Sequence, residues 1–161
     1  MMDQREFRTT LGHFPTGVAV VTTHDTNFGP VGATVSSFNA VSLEPALVLF
    51  SIGKTSPCHS SFGAADGIAI HVLAHDQHEL STRFARGGTE KWAGLDYARG
   101  ESGSPLLSDA LAIFECRPYA SYDGGDHTIF VVEVQSLRAR DGEPLVFCRG
   151  SYRALAETEV C

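Results

Sequence analysis

The chain has 161 residues, 12 Lys and Arg against 19 Asp and Glu, and a formal net charge of −7. That length is expected to fold as one domain, residues 1–161, with room for a full core. The acidic balance without a basic cluster argues against a nucleic-acid surface, and no run of about 18 apolar residues or charged-then-apolar leader points to a membrane or to export.

Residues 3–14 fit a short amphipathic helix, with Phe7, Leu11 and Phe14 on one face and Pro15 and Gly17 ending it. Val18–Thr23 reads as a β-branched strand and His24–Pro30 as a polar turn. Val31–Phe38 is the next strand. Alternation places Val31, Ala33, Val35 and Ser37 on one face and Gly32, Thr34, Ser36 and Phe38 on the other. A face of glycine and hydroxyls, where bulk is usual, lets another backbone or a planar ligand approach closely.

After a short Pro-containing link, Ala46–Ile52 is a further strand, followed by strands at Ile68–Leu73, Leu111–Arg117, Thr128–Leu137 and Leu145–Tyr152. One helix should begin at Pro57 with Ser56 as its cap. Another follows Asp76-Gln77-His78-Glu79, which has the form of a capping box with Asp76 as cap, and Gly87-Gly88 ends it. Thr89–Pro105 reads as loop.

Two strands are apolar on both faces, as in a parallel sheet, but links such as His24–Pro30 are too short for a parallel crossover. The expected architecture is therefore all-β with a few short helices: an antiparallel barrel whose outer wall is covered. With few helices to hand, the expected cover is a second copy of the chain, hence a homodimer.

Cys58, Cys116, Cys148 and Cys161 show no pairing pattern and no zinc spacing, which suits a reduced, cytoplasmic protein. No metal site is expected among His71, His75 and His78, since His71 falls in a strand and His78 in the next helix.

Two segments can carry chemistry. Ser51-Ile52-Gly53-Lys54-Thr55-Ser56-Pro57 joins a strand to a helix N-terminus and gathers free amides, the hydroxyls of Ser51, Thr55 and Ser56, and the Lys54 ammonium, which together make an anion site. Gly124-Gly125-Asp126-His127 enters a strand. In extended backbone Asp126 and His127 point to opposite faces, so His127 alone is the expected hydrogen-bond donor or acid beside a ligand. No nucleophile elbow, helical His-Glu pair or dinucleotide fingerprint is present. Redox chemistry here would have to come from an organic cofactor.

Taken in order, Phe14-Pro15-Thr16-Gly17-Val18, Gly32 to Phe38, Val41-Ser42-Leu43-Glu44-Pro45, Leu47 to Phe50, Asp76-Gln77, Arg83-Phe84-Ala85, Gly125-Asp126-His127 and Leu145 to Tyr152 resemble the flavin reductase-like family, the small NAD(P)H-dependent reductase components of two-component flavin monooxygenases. The resemblance implies a split β-barrel of Greek-key, FMN-binding type and a homodimer. It implies FMN or FAD as cofactor, NADH or NADPH as co-substrate, and a monooxygenase partner that receives reduced flavin by diffusion. It places Gly32, Ala33, Thr34, Ser36 and Ser37 along the isoalloxazine and ribityl chain, and Ser51, Lys54, Thr55 and Ser56 at the flavin phosphate. Arg83 and Phe84 would touch the flavin, and His127 with Phe147, Arg149 and Gly150 would receive the nicotinamide. Hydride would pass from nicotinamide C4 to flavin N5. The chain departs from the family pattern at Val35 and His71, where Asn is frequent. A non-enzymatic flavin-binding module and a pyridoxamine-phosphate-oxidase relative are the alternatives on the same barrel.

Overall fold

The computed structural model describes residues 1–157, so Cys161 lies outside the described residues. In chain order the elements are α1 (Gln4–Leu11), β1 (Thr16–Gly17), β2 (Ala19–Asp25), β3 (Gly29–Val35), β4 (Asn39–Leu43), β5 (Ala46–Gly53), α2 (His59–Gly63), β6 (Ile68–Val72) and α3 (His78–Phe84). A short 3₁₀ turn at Glu90–Trp92 follows, then β7 (Tyr97–Arg99), β8 (Pro105–Leu107), β9 (Ala112–Gly124), β10 (His127–Ala139), β11 (Val146–Cys148) and β12 (Ser151–Arg153). No helix of the described residues is long and apolar enough to cross a membrane.

Seven strands form the main sheet in the order β3-β2-β6-β9-β10-β5-β4, with every neighbouring pair antiparallel. Tight links produce this arrangement. Asp25 Oδ1, for example, accepts from Asn27 N at 2.8 Å and Phe28 N at 3.2 Å and so closes the β2–β3 turn. The sheet curls around Phe50, Phe62, Phe130, Val21 and Ile70, which form the inner core. Among the described residues no ladder closes it into a barrel. At the open seam, Ser37 Oγ accepts from Ser51 N at 2.8 Å and ties the end of β3 to β5.

The outer face of β2 departs from expectation. Val18 and Val20 are buried by the chain itself, against Leu73, Phe84, Leu107 and Leu145. Strand β2 therefore needs no second copy to cover it. The apolar surface left exposed lies elsewhere: Phe7, Leu11 and Phe14 on and after α1, Val41 and Leu43 on edge strand β4, and Tyr119 and Tyr122 on β9.

Residues 39–43, expected within a link, form strand β4, and Thr89–Pro105, expected as loop, carries the 3₁₀ turn, β7 and the start of β8. Leu145–Tyr152 is a hairpin of β11 and β12, not one strand. Helix α2 begins at His59 with no side-chain cap, and Ser56 Oγ instead meets Cys58 Sγ at 3.1 Å. Helix α3 starts after Gln77 and lacks the Asp76 cap, while Gln77 Oε1 accepts from Ala74 N at 2.9 Å.

Candidate functional site

A cleft of 720 Å³ opens where β3 and β5 diverge. That volume lies within the range of ordinary small-molecule sites. One wall is the end of β3 with the following turn, Val31 and Ala33 to Ser37. The opposite wall is Ser51 to Gly53 of β5, continuing through Ser56, Pro57 and Cys58 to Ser61 of α2. The segment from Phe84 to Trp92 roofs it, Phe28 and Pro30 stand at its rim, and His127 borders it at the start of β10.

Several expected residues therefore converge: Ala33, Thr34, Ser36, Ser37, Ser51, Ser56, Phe84 and His127 all line the cleft. Two of these hydroxyls are partly committed. Ser37 holds the Ser51 amide, and Thr34 Oγ1 donates to Ser81 O at 2.7 Å, clamping β3 to α3.

Gly32 takes a different part. A Cβ there would stand 2.8 Å from the Phe84 ring and 3.2 Å from Trp92, so the glycine lets α3 and the roof pack onto β3. It supports the roof from behind and does not line the cleft. Phe84 is buried and meets Trp92 edge-on at 4.9 Å between ring centroids.

Other expected residues are not brought to the cleft. Lys54 forms an ion pair with Asp123 and holds that carboxyl below the usual carboxylate range, while Thr55 is exposed beside it. Neither lines the cleft. Arg83 turns outward, its Nε donating to Lys91 O at 2.6 Å and its Nη2 to Ala93 O, so that it fastens the roof segment. Phe147, Arg149 and Gly150 sit in or next to the β11–β12 hairpin, outside the cleft. There Phe147 packs on Tyr152, whose hydroxyl meets Ser81 Oγ at 2.8 Å.

Asp126 and His127 also behave differently from the strand argument. Asp126 lies in the β9–β10 turn beside Gly125, whose φ of 77° needs a glycine, and not in extended backbone. The turn brings Asp126 Oδ1 to 2.7 Å from His127 Nδ1. That hydrogen bond keeps the Asp126 carboxyl below its usual range, so it stays ionised and accepts from Nδ1–H, which leaves Nε2 as the free ring nitrogen.

The sequence reading missed the roof: Arg86, Gly87, Gly88, Thr89, Lys91 and Trp92 all face the cleft. The available signal was a pair of glycines followed closely by Lys91 and the only tryptophan. Cys58 and Ser61 were missed too. Ser61 Oγ donates to Asp25 Oδ2 at 2.7 Å and holds that carboxyl below the usual range.

His71 is structural. Its Nδ1 donates to Val20 O at 2.9 Å and its Nε2 accepts from Leu107 N at 3.1 Å. Burial pushes the Cys116 thiol up to about 12, which leaves it inert.

Comparison with known proteins accords with this geometry. The model of a family described as flavin reductase like domain matches residues 11–156. The chain is 49% identical over 150 residues to FMN reductase (NADH) SmoA of Agrobacterium fabrum, covering 93% of this chain and 85% of that protein. It is 41% identical over 155 residues to the reductase subunit HsaB of a flavin-dependent monooxygenase of Rhodococcus jostii, covering 96% and 79%. The solved structure of the NADH:FAD oxidoreductase SgcE6 of Streptomyces globisporus in complex with NAD and FAD fragments superposes with a TM-score of 0.91 at 38% identity, over 96% of this chain and 94% of that one.

Proposed function

Because the chain belongs to the flavin reductase-like family, we propose that the cleft between β3 and β5 is where it binds FMN or FAD for reduction by NADH or NADPH. The chain is an NAD(P)H-dependent flavin reductase that supplies reduced flavin to a monooxygenase. The observation that carries the assignment to the cleft is its lining. Small side chains at Ala33, Ser36 and Ser37 leave room for a flat ring, and Ser51 and Ser56 bring hydroxyls to the opposite wall. The amides of Ser51, Lys54 and Ser56, expected to be free, are instead taken by Ser37 Oγ, Asp126 O and Gly53 O.

A bound flavin supplies the hydride-accepting nitrogen, and the reduced nicotinamide supplies the hydride. The protein's part is positioning and exclusion of water. Ala33 to Ser37 and Ser51 to Gly53 form the two sides of a slot of fixed width, held by the Ser37–Ser51 hydrogen bond. The Phe84–Trp92 pair closes it from above. Asp126 fixes the tautomer of His127, holding a proton on Nδ1 and presenting Nε2 toward Gly53 at the rim, where the nicotinamide would enter. Asp126 is thus a positioning residue for His127.

Four finer features belong to the same proposal. Residues 1–161 make one domain, a split barrel of Greek-key type, supported by the curled seven-stranded sheet and the Ser37–Ser51 tie across its seam. The protein is a homodimer, supported by the apolar side chains exposed on α1, β4 and β9. It works in the cytoplasm, supported by the free thiols of Cys58, Cys116 and Cys148. Reduced flavin reaches the monooxygenase by diffusion, supported by a cleft that opens to solvent at Phe28 and Pro30.

Steady-state kinetics tests the reading. Protein stripped of flavin should consume NADH only when FMN or FAD is added, and without any aromatic substrate. His127→Ala should lower kcat/KM for NADH by up to about tenfold, the worth of one neutral hydrogen bond, with little change in flavin affinity. Flavin binding without NADH consumption would make the protein a binding module. NADH consumption that ignores added flavin would refute the reading.

A further inference from the structure

We propose that Lys91, on the roof segment, is the cation that holds the flavin phosphate, in place of Lys54. The proposal rests on the flavin reductase reading of the cleft and assigns a binding residue within it.

The two lysines differ in what they already touch. Lys54 is committed to Asp123 on the outside of the β9–β10 hairpin and does not line the cleft. Lys91 lines it and is half-buried. Its Nζ donates to Arg86 O at 3.2 Å and stands 5.9 Å from the centre of the Phe84 ring. Among the described residues no carboxylate lies within ion-pair distance of it. Burial pulls its pKa below the ordinary lysine range. This ammonium has lost water without gaining a counter-charge, and a dianionic phosphate would restore the balance.

Lys91 shares the cleft with the wall where the anion site was expected, since Ser56, Pro57 and Cys58 line its opposite side. Ser56 Oγ faces that same Cys58 at 3.1 Å. A phosphate between Lys91 and Ser56 would be bridged from both walls, and the roof would be drawn down onto the ligand.

The backbone of Lys91 is fixed for that task. Its carbonyl accepts from Arg83 Nε at 2.6 Å, Arg83 also holds Ala93 O, and Trp92 is seated on Phe84. Arg83 is thereby a positioning residue: it acts on the ligand through the loop that carries Lys91.

Fluorescence-quenching titrations of FMN, FAD and riboflavin distinguish the two lysines. Lys91→Gln keeps most of the aliphatic stem over Phe84 and removes only the charge. It should weaken FMN and FAD by about tenfold to a hundredfold while riboflavin changes by less than about threefold. Lys91→Arg should recover most of the loss, and Lys54→Gln should cost less than Lys91→Gln. Equal losses for riboflavin and FMN in Lys91→Gln, or a larger loss in Lys54→Gln, would overturn the assignment and leave the flavin cleft in place. Wild-type protein that binds none of the three would remove the flavin reading, and the role of Lys91 with it.

Discussion

Phe50→Ala should lower stability by about 3–5 kcal/mol, the usual cost of emptying a buried aromatic position. Phe50 is fully buried, stacks on Phe130 at 5.5 Å between centroids and meets Phe62 edge-on at 5.6 Å. Those three rings join β5, β10 and α2, so the cavity would open directly behind the wall that carries Ser51 and Ser61. For a chain of this length the melting temperature should fall by about 10 °C, measured at one fixed protein concentration because association shifts it too. Phe50→Leu should recover much of the loss. A change below about 1 kcal/mol for Phe50→Ala would mean that these rings do not form one packed unit.

Acid should weaken the fold through His71. Burial is the main cause that depresses its pKa, from the ordinary 6.5 to about 4 in the folded chain. Once unfolded, the chain takes up this proton as pH falls through about 6.5, and the folded chain resists until about 4. The contribution of neutral His71 is therefore complete above pH 6.5 and is lost progressively down to pH 4, by about 3 kcal/mol in all. The structural reason is visible at Nε2. Once protonated it cannot accept from Leu107 N, and the contact between β6 and β8 is broken. Urea denaturation across that pH range should show a steeper fall for wild type than for His71→Asn, which cannot titrate. Parallel curves for the two proteins would contradict the account.

How much of this was legible in the sequence varies with the range of the interaction involved. Strands β2, β3, β5 and β6 could be read locally because their apolar periodicity and turn residues are contiguous, and the short links already required antiparallel neighbours. Strand β4 was not legible, because its side chains are mostly exposed and offer no apolar alternation. Caps at Ser56 and Asp76 were expected from residue type, but other close neighbours took the local geometry: Ser56 Oγ meets Cys58 Sγ, and Gln77 Oε1 accepts from Ala74 N.

The site shows the same division. The small-residue wall at Ala33 to Ser37 and the hydroxyls at Ser51 and Ser56 were legible as adjacent residues, and the structure brings them together. Gly32 was noted for the right property, room for a close approach, yet the group that approaches is Phe84 of this chain. Asp126 and His127 were read as opposed because extended backbone was assumed where there is a turn. Lys54 looked free because its partner Asp123 lies far away in sequence, and Lys91 looked incidental because the roof it belongs to is set by Arg83 and Trp92. Long-range pairing, invisible to spacing, decided which lysine faces the cleft.

The central claim is that the flavin sits between β3 and β5, and a crystal structure of the protein with FMN bound tests it most directly. The account predicts the isoalloxazine along Ala33 to Ser37, the phosphate between Ser56 and Lys91, and Phe84 and Trp92 closed over the ligand. FMN bound elsewhere, for instance in the polar cleft beside α3 between Asp76 and Glu90, with the β3–β5 cleft left to solvent, would contradict it.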